Sequence, residues 1–259
     1  MTQAERRIYL IKKLKEDMPL YSHIKIPCEE EEQKILLRSL MNVREPKDIS
    51  EEFIKIQDEY IKEERKDEKI VTLSELECTE RGIYLWQGDI TLINTEAIVN
   101  AANSALLGCF IPCHRCIDNA IHTWAGVQLR IECRDIMKKQ GHSEETGKAK
   151  ITSAYNLPCK YVIHTVGPIV QGKLKEEDCE MLRSCYKSCL ELAKARNIKS
   201  IAFCCISTGE FHFPNEKAAE IAVETVREFL KSNGYCIDVV FNVFKDVDYS
   251  IYKEILRAD

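Results

Sequence analysis

The chain has 259 residues, 45% of them hydrophobic and 31% charged, which fits one large α/β domain or a smaller one with an appendage. Ten glycines and seven prolines are too few for a collagen-like or low-complexity protein, and no apolar run approaches the roughly 20 residues of a membrane-spanning helix. A net charge of -5 argues against a nucleic-acid partner held by phosphate neutralisation.

Residues 1–18, MTQAERRIYLIKKLKEDM, are charged and lack an apolar leader core, so the expected location is cytoplasmic, with no membrane partner. Thirteen cysteines leave at least one thiol free, and in a reducing compartment clustered Cys and His point to metal or catalysis before disulfides. Cys185, Cys189, Cys204, Cys205 and Cys236 lie in apolar or amphipathic runs and read as small buried hydrophobes.

Residues 1–68 are rich in charge and carry only helical spacing: Ile8, Ile11 and Leu14, then Leu36, Leu37, Leu40 and Met41, then Phe53, Ile54, Ile56 and Ile61. The run ERKDEK at 64–69 is a solvated boundary, so 1–68 is expected as a small helical appendage and 69–259 as the main domain. Beyond it, strands are expected at 70–73, 82–86, 96–100, 149–154, 160–165, 199–206 and 236–243. Helices are expected at 115–138, 176–196, 215–232 and 248–257, the third with Gly234 just past its end. Alternating strands and helices imply a mostly parallel sheet, with ligands bound outside the carboxyl ends of its strands.

Three strand ends carry unusual segments. Gly88-Asp89-Ile90-Thr91 follows GIYLWQ, and its carboxylate is either a base-amino acceptor or a turn cap. Residues 98–104, IVNAANS, set Asn100 and Asn103 around two alanines, letting a ligand approach the backbone and meet an amide. Residues 206–214, ISTGEFHFP, lead into a helix and can present backbone N–H groups to phosphate oxygens, with Phe211 and Phe213 able to cover a sugar or base.

Between IVNAANS and the next helix runs GCFIPCHRCIDNAIH, residues 108–122. Cys109, His114 and Cys116 have the spacing C-x4-H-x-C, and two thiolates with one imidazole suit Zn²⁺ with a fourth position open. Two other readings stand beside this one: a closed structural zinc completed by Cys113 or His122, and a Cys113-x-x-Cys116 redox pair or plain thiols. Asp118 either orients a ligand or moves a proton, or else caps the helix starting near Ile117; His122 lies on the same face as Asp118 and reads as its partner or as a packed residue. His164, inside an apolar strand, reads as a satisfied core residue.

Taken in order, QGDIT, IVNAANS, VIHTVGP (162–168) and ISTGEFHFP resemble the macrodomain family over roughly residues 70–245. The resemblance implies a three-layer α/β/α fold, α/β in class, with a mixed, mostly parallel central sheet, and an ADP-ribose cleft. It implies that Asp89, with Ile90 beside it, meets the adenine. It implies that Asn103 reaches the distal ribose, and that Ser207, Thr208, Gly209, Glu210 and Phe211 cradle the diphosphate, Phe211 near that ribose.

The segment GCFxPxHxCIDNxIH is similar to the signature of a bacterial subclass, the zinc-dependent macrodomains, whose metal ligands correspond to Cys109, His114 and Cys116. Cys113 falls at a variable position of that signature. The subclass removes mono-ADP-ribose from modified proteins and is often encoded beside a sirtuin that modifies a lipoyl-carrier protein. The resemblance therefore implies a zinc-dependent protein-ADP-ribose hydrolase, with Asn103, Asp118 and the three metal ligands at the reaction centre. In such a site, zinc would either lower the pKa of a bound water to about 7 or bind ribose hydroxyls and polarise the leaving group. The alternatives are a reader of ADP-ribose with a structural zinc, and an O-acetyl-ADP-ribose deacetylase.

Overall fold

The fold was read from a computed structural model, which describes residues 1–257. The chain forms two compact units. The first comprises Met1–Glu68, Leu107–Gly141 and Tyr155–Leu157; the second comprises Lys69–Leu106, His142–Ala154 and Pro158–Asp259. Leu107–Gly141 thus falls in the same compact unit as the N-terminal helices.

The first unit is helical: α1 (Gln3–Asp17), α2 (Glu30–Val43), α3 (Glu51–Glu64), α4 (Ile117–Ala125) and α5 (Val127–Gln140). Thr2 opens α1 with a reciprocal capping box to Glu5, and Ser50 caps α3 by accepting from the Phe53 N–H. Leu10, Ile11 and Leu14 pack with Leu37, Leu40, Met41, Phe53, Ile56, Tyr60 and Ile61 in one apolar cluster that includes Val127 of α5. Each fully buried Leu or Ile contributes about 2 kcal/mol of transfer free energy before entropy is counted. Ile8 and Ile54, expected on these faces, are only half-buried.

The single helix expected over 115–138 is two helices. Gly126 breaks it with φ +96°, and a β-carbon there would meet Gln57 Nε2 and Gln128 Oε1 at 2.5 Å. Gln57 of α3 restarts the chain as α5, its Oε1 accepting from the Val127 N–H at 3.0 Å.

The second unit is built on strands β1 (Val71–Thr72), β2 (Cys78–Glu80), β3 (Ile83–Gln87), β4 (Ile93–Asn94), β5 (Ala97–Ala102), β6 (Ala149–Ser153), β7 (Tyr161–Val166), β8 (Ser200–Phe203) and β9 (Asp238–Val243). Helices α6 (Glu176–Ala195), α7 (Asn215–Ser232) and α8 (Asp246–Ile255) complete it. The main sheet has the order β2-β3-β9-β8-β5-β7-β6, and β1 and β4 form a separate short pair.

The five central strands run parallel, while β2 and β6 are antiparallel edges. The central strands β5, β7, β8 and β9 are almost wholly buried, as their continuous apolar runs require. The expected strand 70–73 shortens to two residues, β2 appears where no strand was expected, and the CCI of 199–206 falls outside β8.

Among the described residues all thirteen cysteines are free. Cys185, Cys189 and Cys204 are buried as expected, whereas Cys205 and Cys236 are half-buried. No helix of the described residues is long and apolar enough to cross a membrane.

Candidate functional site

In the second unit, the segments singled out above leave the same edge of the sheet. Gly88-Asp89 follows β3, Asn103 follows β5, Gly167 follows β7 and the 204–214 loop follows β8, all at carboxyl ends of parallel strands. Asn242 of β9 donates to the Gly88 carbonyl at 3.0 Å, and the Gly88 N–H donates to the Val243 carbonyl at 2.9 Å, which fixes the turn after β3. Asp89 caps the short turn Ile90–Leu92: its Oδ1 accepts from the Thr91 N–H at 2.9 Å and from the Thr91 hydroxyl at 2.7 Å. One carboxylate oxygen is thus committed to the turn, and Ile90 is buried beside it.

The two asparagines of IVNAANS part company. Asn100 lies inside β5, fully buried, with Nδ2 donating to His164 Nδ1 at 3.1 Å. His164 Nε2 lies 2.9 Å from Thr152 Oγ1, so the amide donor on Nδ1 assigns the ring proton to Nε2. Burial holds the His164 pKa down at about 4, and the ring is neutral at pH 7. Asn103 stands at the strand end, half-buried, its Oδ1 accepting from the Ala105 N–H at 3.0 Å, which fixes the carboxamide.

Ser207 opens the loop after β8 in a left-handed conformation, φ +66°, and its carbonyl accepts from the Phe213 N–H at 3.0 Å. A β-carbon on Gly167 would lie 2.0 Å from Ser207 Oγ and 2.8 Å from Ile206 Cγ2, so any side chain there would force both of these to shift. The N–H groups of Thr208, Gly209 and Phe211 donate to no acceptor among the described residues. Successive unused N–H groups in such a loop are a phosphate-binding feature. Glu210 is exposed and Phe211 half-exposed, whereas Phe213 is 1% exposed. Phe213 is therefore a core residue and does not cover a ligand.

In the first unit, Cys109, His114 and Cys116 are the side chains brought together. Their ligand atoms all lie within 4.8 Å of one another, and Cys109 Sγ is 3.6 Å from His114 Nδ1. Zinc bonds of about 2.3 Å to sulfur and 2.0 Å to nitrogen at a tetrahedral angle put those atoms about 3.5 Å apart. The donor set fits the ion. Burial pushes the Cys116 thiol up to about 12, and the neighbouring Cys109 and Asp118 push the same way. A cation bound between the two sulfurs would be what holds them as thiolates at this spacing.

Neither proposed fourth ligand joins the set among the described residues. Cys113 sits at φ +52° with Sγ 3.3 Å from Ser39 Oγ. His122 has Nε2 3.5 Å from Asp118 Oδ1, both side chains almost fully buried. The helix cap is Cys116, whose Sγ accepts from the Asn119 N–H at 3.4 Å, so Asp118 lies inside the first turn of α4 and is not its cap.

The sequence pattern described as Macro domain matches residues 99–222. A Treponema medium protein named protein-ADP-ribose hydrolase is 55% identical over 99% of this chain and 100% of its own length. The chain belongs to the macrodomain family. A Staphylococcus aureus relative, also named protein-ADP-ribose hydrolase, is 45% identical over 97% of this chain and 95% of its own. The crystal structure of the Trypanosoma brucei macrodomain in complex with ADP-ribose is similar at a TM-score of 0.66 and 31% identity, covering 85% of this chain and 94% of that one.

Within this macrodomain the sequence reading missed two residues around the cysteine loop. Asn119, fully buried, donates from Nδ2 to the carbonyls of Ile111 at 3.0 Å and Cys109 at 3.5 Å. Arg130 of α5, 5% exposed, stacks over the Phe110 ring at 4.3 Å, and its guanidinium donates to the Cys109 carbonyl at 3.5 Å. Burial lowers its pKa to about 10, against the opposing pull of Asp118 and Cys109, so it stays charged at neutral pH. Asn119 belongs to the CIDN segment and could have been noticed there; Arg130 carries no local signal.

Proposed function

We propose that this macrodomain hydrolyses the bond between ADP-ribose and a modified protein side chain, and that a zinc ion on Cys109, His114 and Cys116 is required for turnover. The hydrolase reading is supported by full-length likeness to relatives of that name. The zinc reading rests on one observation above the rest, the 3.6 Å separation of Cys109 Sγ and His114 Nδ1.

The roles follow from the chemistry of each group. Asp89 accepts from the adenine amino group with the oxygen that Thr91 leaves, which fixes the base. The N–H groups of Thr208, Gly209 and Phe211 hold the diphosphate, with Ser207 and Glu210 shaping the loop. Pinning the nucleotide at both places restricts the freedom of its distal ribose. Asn103, its carboxamide oriented by the Ala105 N–H, binds that ribose.

A zinc ion with three protein ligands supplies Lewis acidity and one coordination position for an outside ligand. Hydrolysis places the oxygen of water on C1″ and returns a proton to the leaving side chain. Asp118, buried beside His122, is assigned the handling of that proton and the orientation of the loop.

A lipoyl-carrier protein marked by a linked sirtuin is the proposed substrate, as the resemblance implies. Free thiols throughout the chain fit a cytoplasmic location. The test is release of ADP-ribose from mono-ADP-ribosylated carrier protein, measured beside release of acetate from O-acetyl-ADP-ribose. Faster turnover of the protein-linked mark is expected. Tight ADP-ribose binding without release would leave a reader, and preferential deacetylation would replace the hydrolase reading.

A further inference from the structure

The N-terminal helices have no part in the roles above, yet one of them grips the cysteine loop along its length. Arg38 of α2 donates from Nη2 to the His114 carbonyl at 3.3 Å and to Asn119 Oδ1 at 3.0 Å. Asn42, 1% exposed, accepts the Cys113 N–H on Oδ1 at 2.9 Å and donates from Nδ2 to Thr123 Oγ1 at 3.0 Å. Arg130 ties the end of α2 to the same loop: its Nη1 donates to the carbonyls of Asn42 and Arg44, each at 2.7 Å, while its guanidinium also reaches the Cys109 carbonyl. Leu107–Gly141 accordingly falls in the compact unit of Met1–Glu68.

We infer that α2 is part of the metal site, with Arg38 and Asn42 as positioning residues that hold the peptide planes of Cys113 and His114 so that Cys109, His114 and Cys116 converge. The inference rests on the zinc reading given above. A short loop with three ligands must be ordered on metal binding unless something orders it beforehand, and groups behind the ligands commonly set metal affinity in this way. Asn119 transmits the hold: Arg38 fixes its Oδ1, and its Nδ2 donates to the Ile111 and Cys109 carbonyls. Through α2, the helical appendage thereby serves the metal site.

The experiment uses the full-length chain stripped of metal and reloaded with Zn²⁺ against a chromogenic chelator, and separately with Co²⁺. Arg38→Met and Asn42→Ala are expected to weaken Zn²⁺ about 10- to 100-fold. Their affinity for ADP-ribose, read by calorimetry, should stay within about twofold of wild type, since a general loss of folding would lower both. Their Co²⁺ forms should show altered thiolate-to-metal absorption, restored towards wild type in Arg38→Lys and Asn42→Asp, which keep a donor and the Oδ acceptor. Zn²⁺ affinity unchanged in both Arg38→Met and Asn42→Ala would overturn the inference. A wild-type chain that binds ADP-ribose but no Zn²⁺ would instead overturn the zinc reading, and the inference with it.

Discussion

The His122 imidazole lies against the backbone of Gly108 so closely that a β-carbon there would meet the ring at 2.8 Å. Gly108 also holds φ +79°, a conformation that costs a residue with a side chain about 1–2 kcal/mol. Gly108→Ala should therefore lose at least that much stability in urea melts and displace the ring beside Asp118, with a fall in turnover. Unchanged melting and turnover would mean that the loop does not need this contact.

Gly167 sets a comparable constraint beneath the loop after β8, because a β-carbon would strike Ser207 Oγ. Gly167→Ala should weaken ADP-ribose binding by about tenfold or more, equivalent to at least about 1.4 kcal/mol. Calorimetry checks this, and wild-type affinity would separate the loop from the ligand.

Asp89 makes a narrower claim. Asp89→Ala should weaken ADP-ribose by about 1.5–3 kcal/mol, the range for a hydrogen bond to a charged group. Part of that loss comes from the turn, because Thr91 also loses its acceptor. Asp89→Asn keeps an acceptor for Thr91 and should isolate the ligand's share; calorimetric affinities equal to wild type in both variants would remove Asp89 from the adenine site.

His164 predicts a pH dependence. Its folded pKa is depressed to about 4 by burial, below the ordinary value of 6.5, so the unfolded chain binds the extra proton between those values. Its contribution is complete above about pH 6.5 and is lost as pH falls towards 4, on the order of 3 kcal/mol in all. Urea melts at pH 7 and pH 4.5 should show that slope, and His164→Gln should flatten it. An unchanged slope in the variant would assign it to other groups.

Much of the fold was legible because periodicity records burial. Ile98 and Val99, and Val162 and Ile163, announce strands covered on both faces, and Leu10, Ile11 and Leu14 announce a helix face. Periodicity does not record breaks, so the helix expected over 115–138 ran through Gly126. Its role depends on Gln57, 69 positions earlier in sequence. Nor could local pattern separate Asn100 from Asn103, since only the sheet shows which one is enclosed with His164.

The three candidate ligands were legible from donor type and spacing alone. What holds them was not: Arg38, Asn42 and Arg130 reach the loop itself at backbone carbonyls and N–H groups, which leave no mark on residue identity. Cys116 as a helix cap was also missed, because Asp118 is the commoner capping type and sits two residues away.

The central claim is best tested by elemental analysis of the purified chain, paired with release of ADP-ribose from a modified protein before and after treatment with a strong chelator. The account predicts about one zinc per chain, turnover lost on stripping and regained on adding Zn²⁺, and neither metal nor turnover in Cys109→Ala or His114→Ala. Full turnover by a metal-free chain would contradict it.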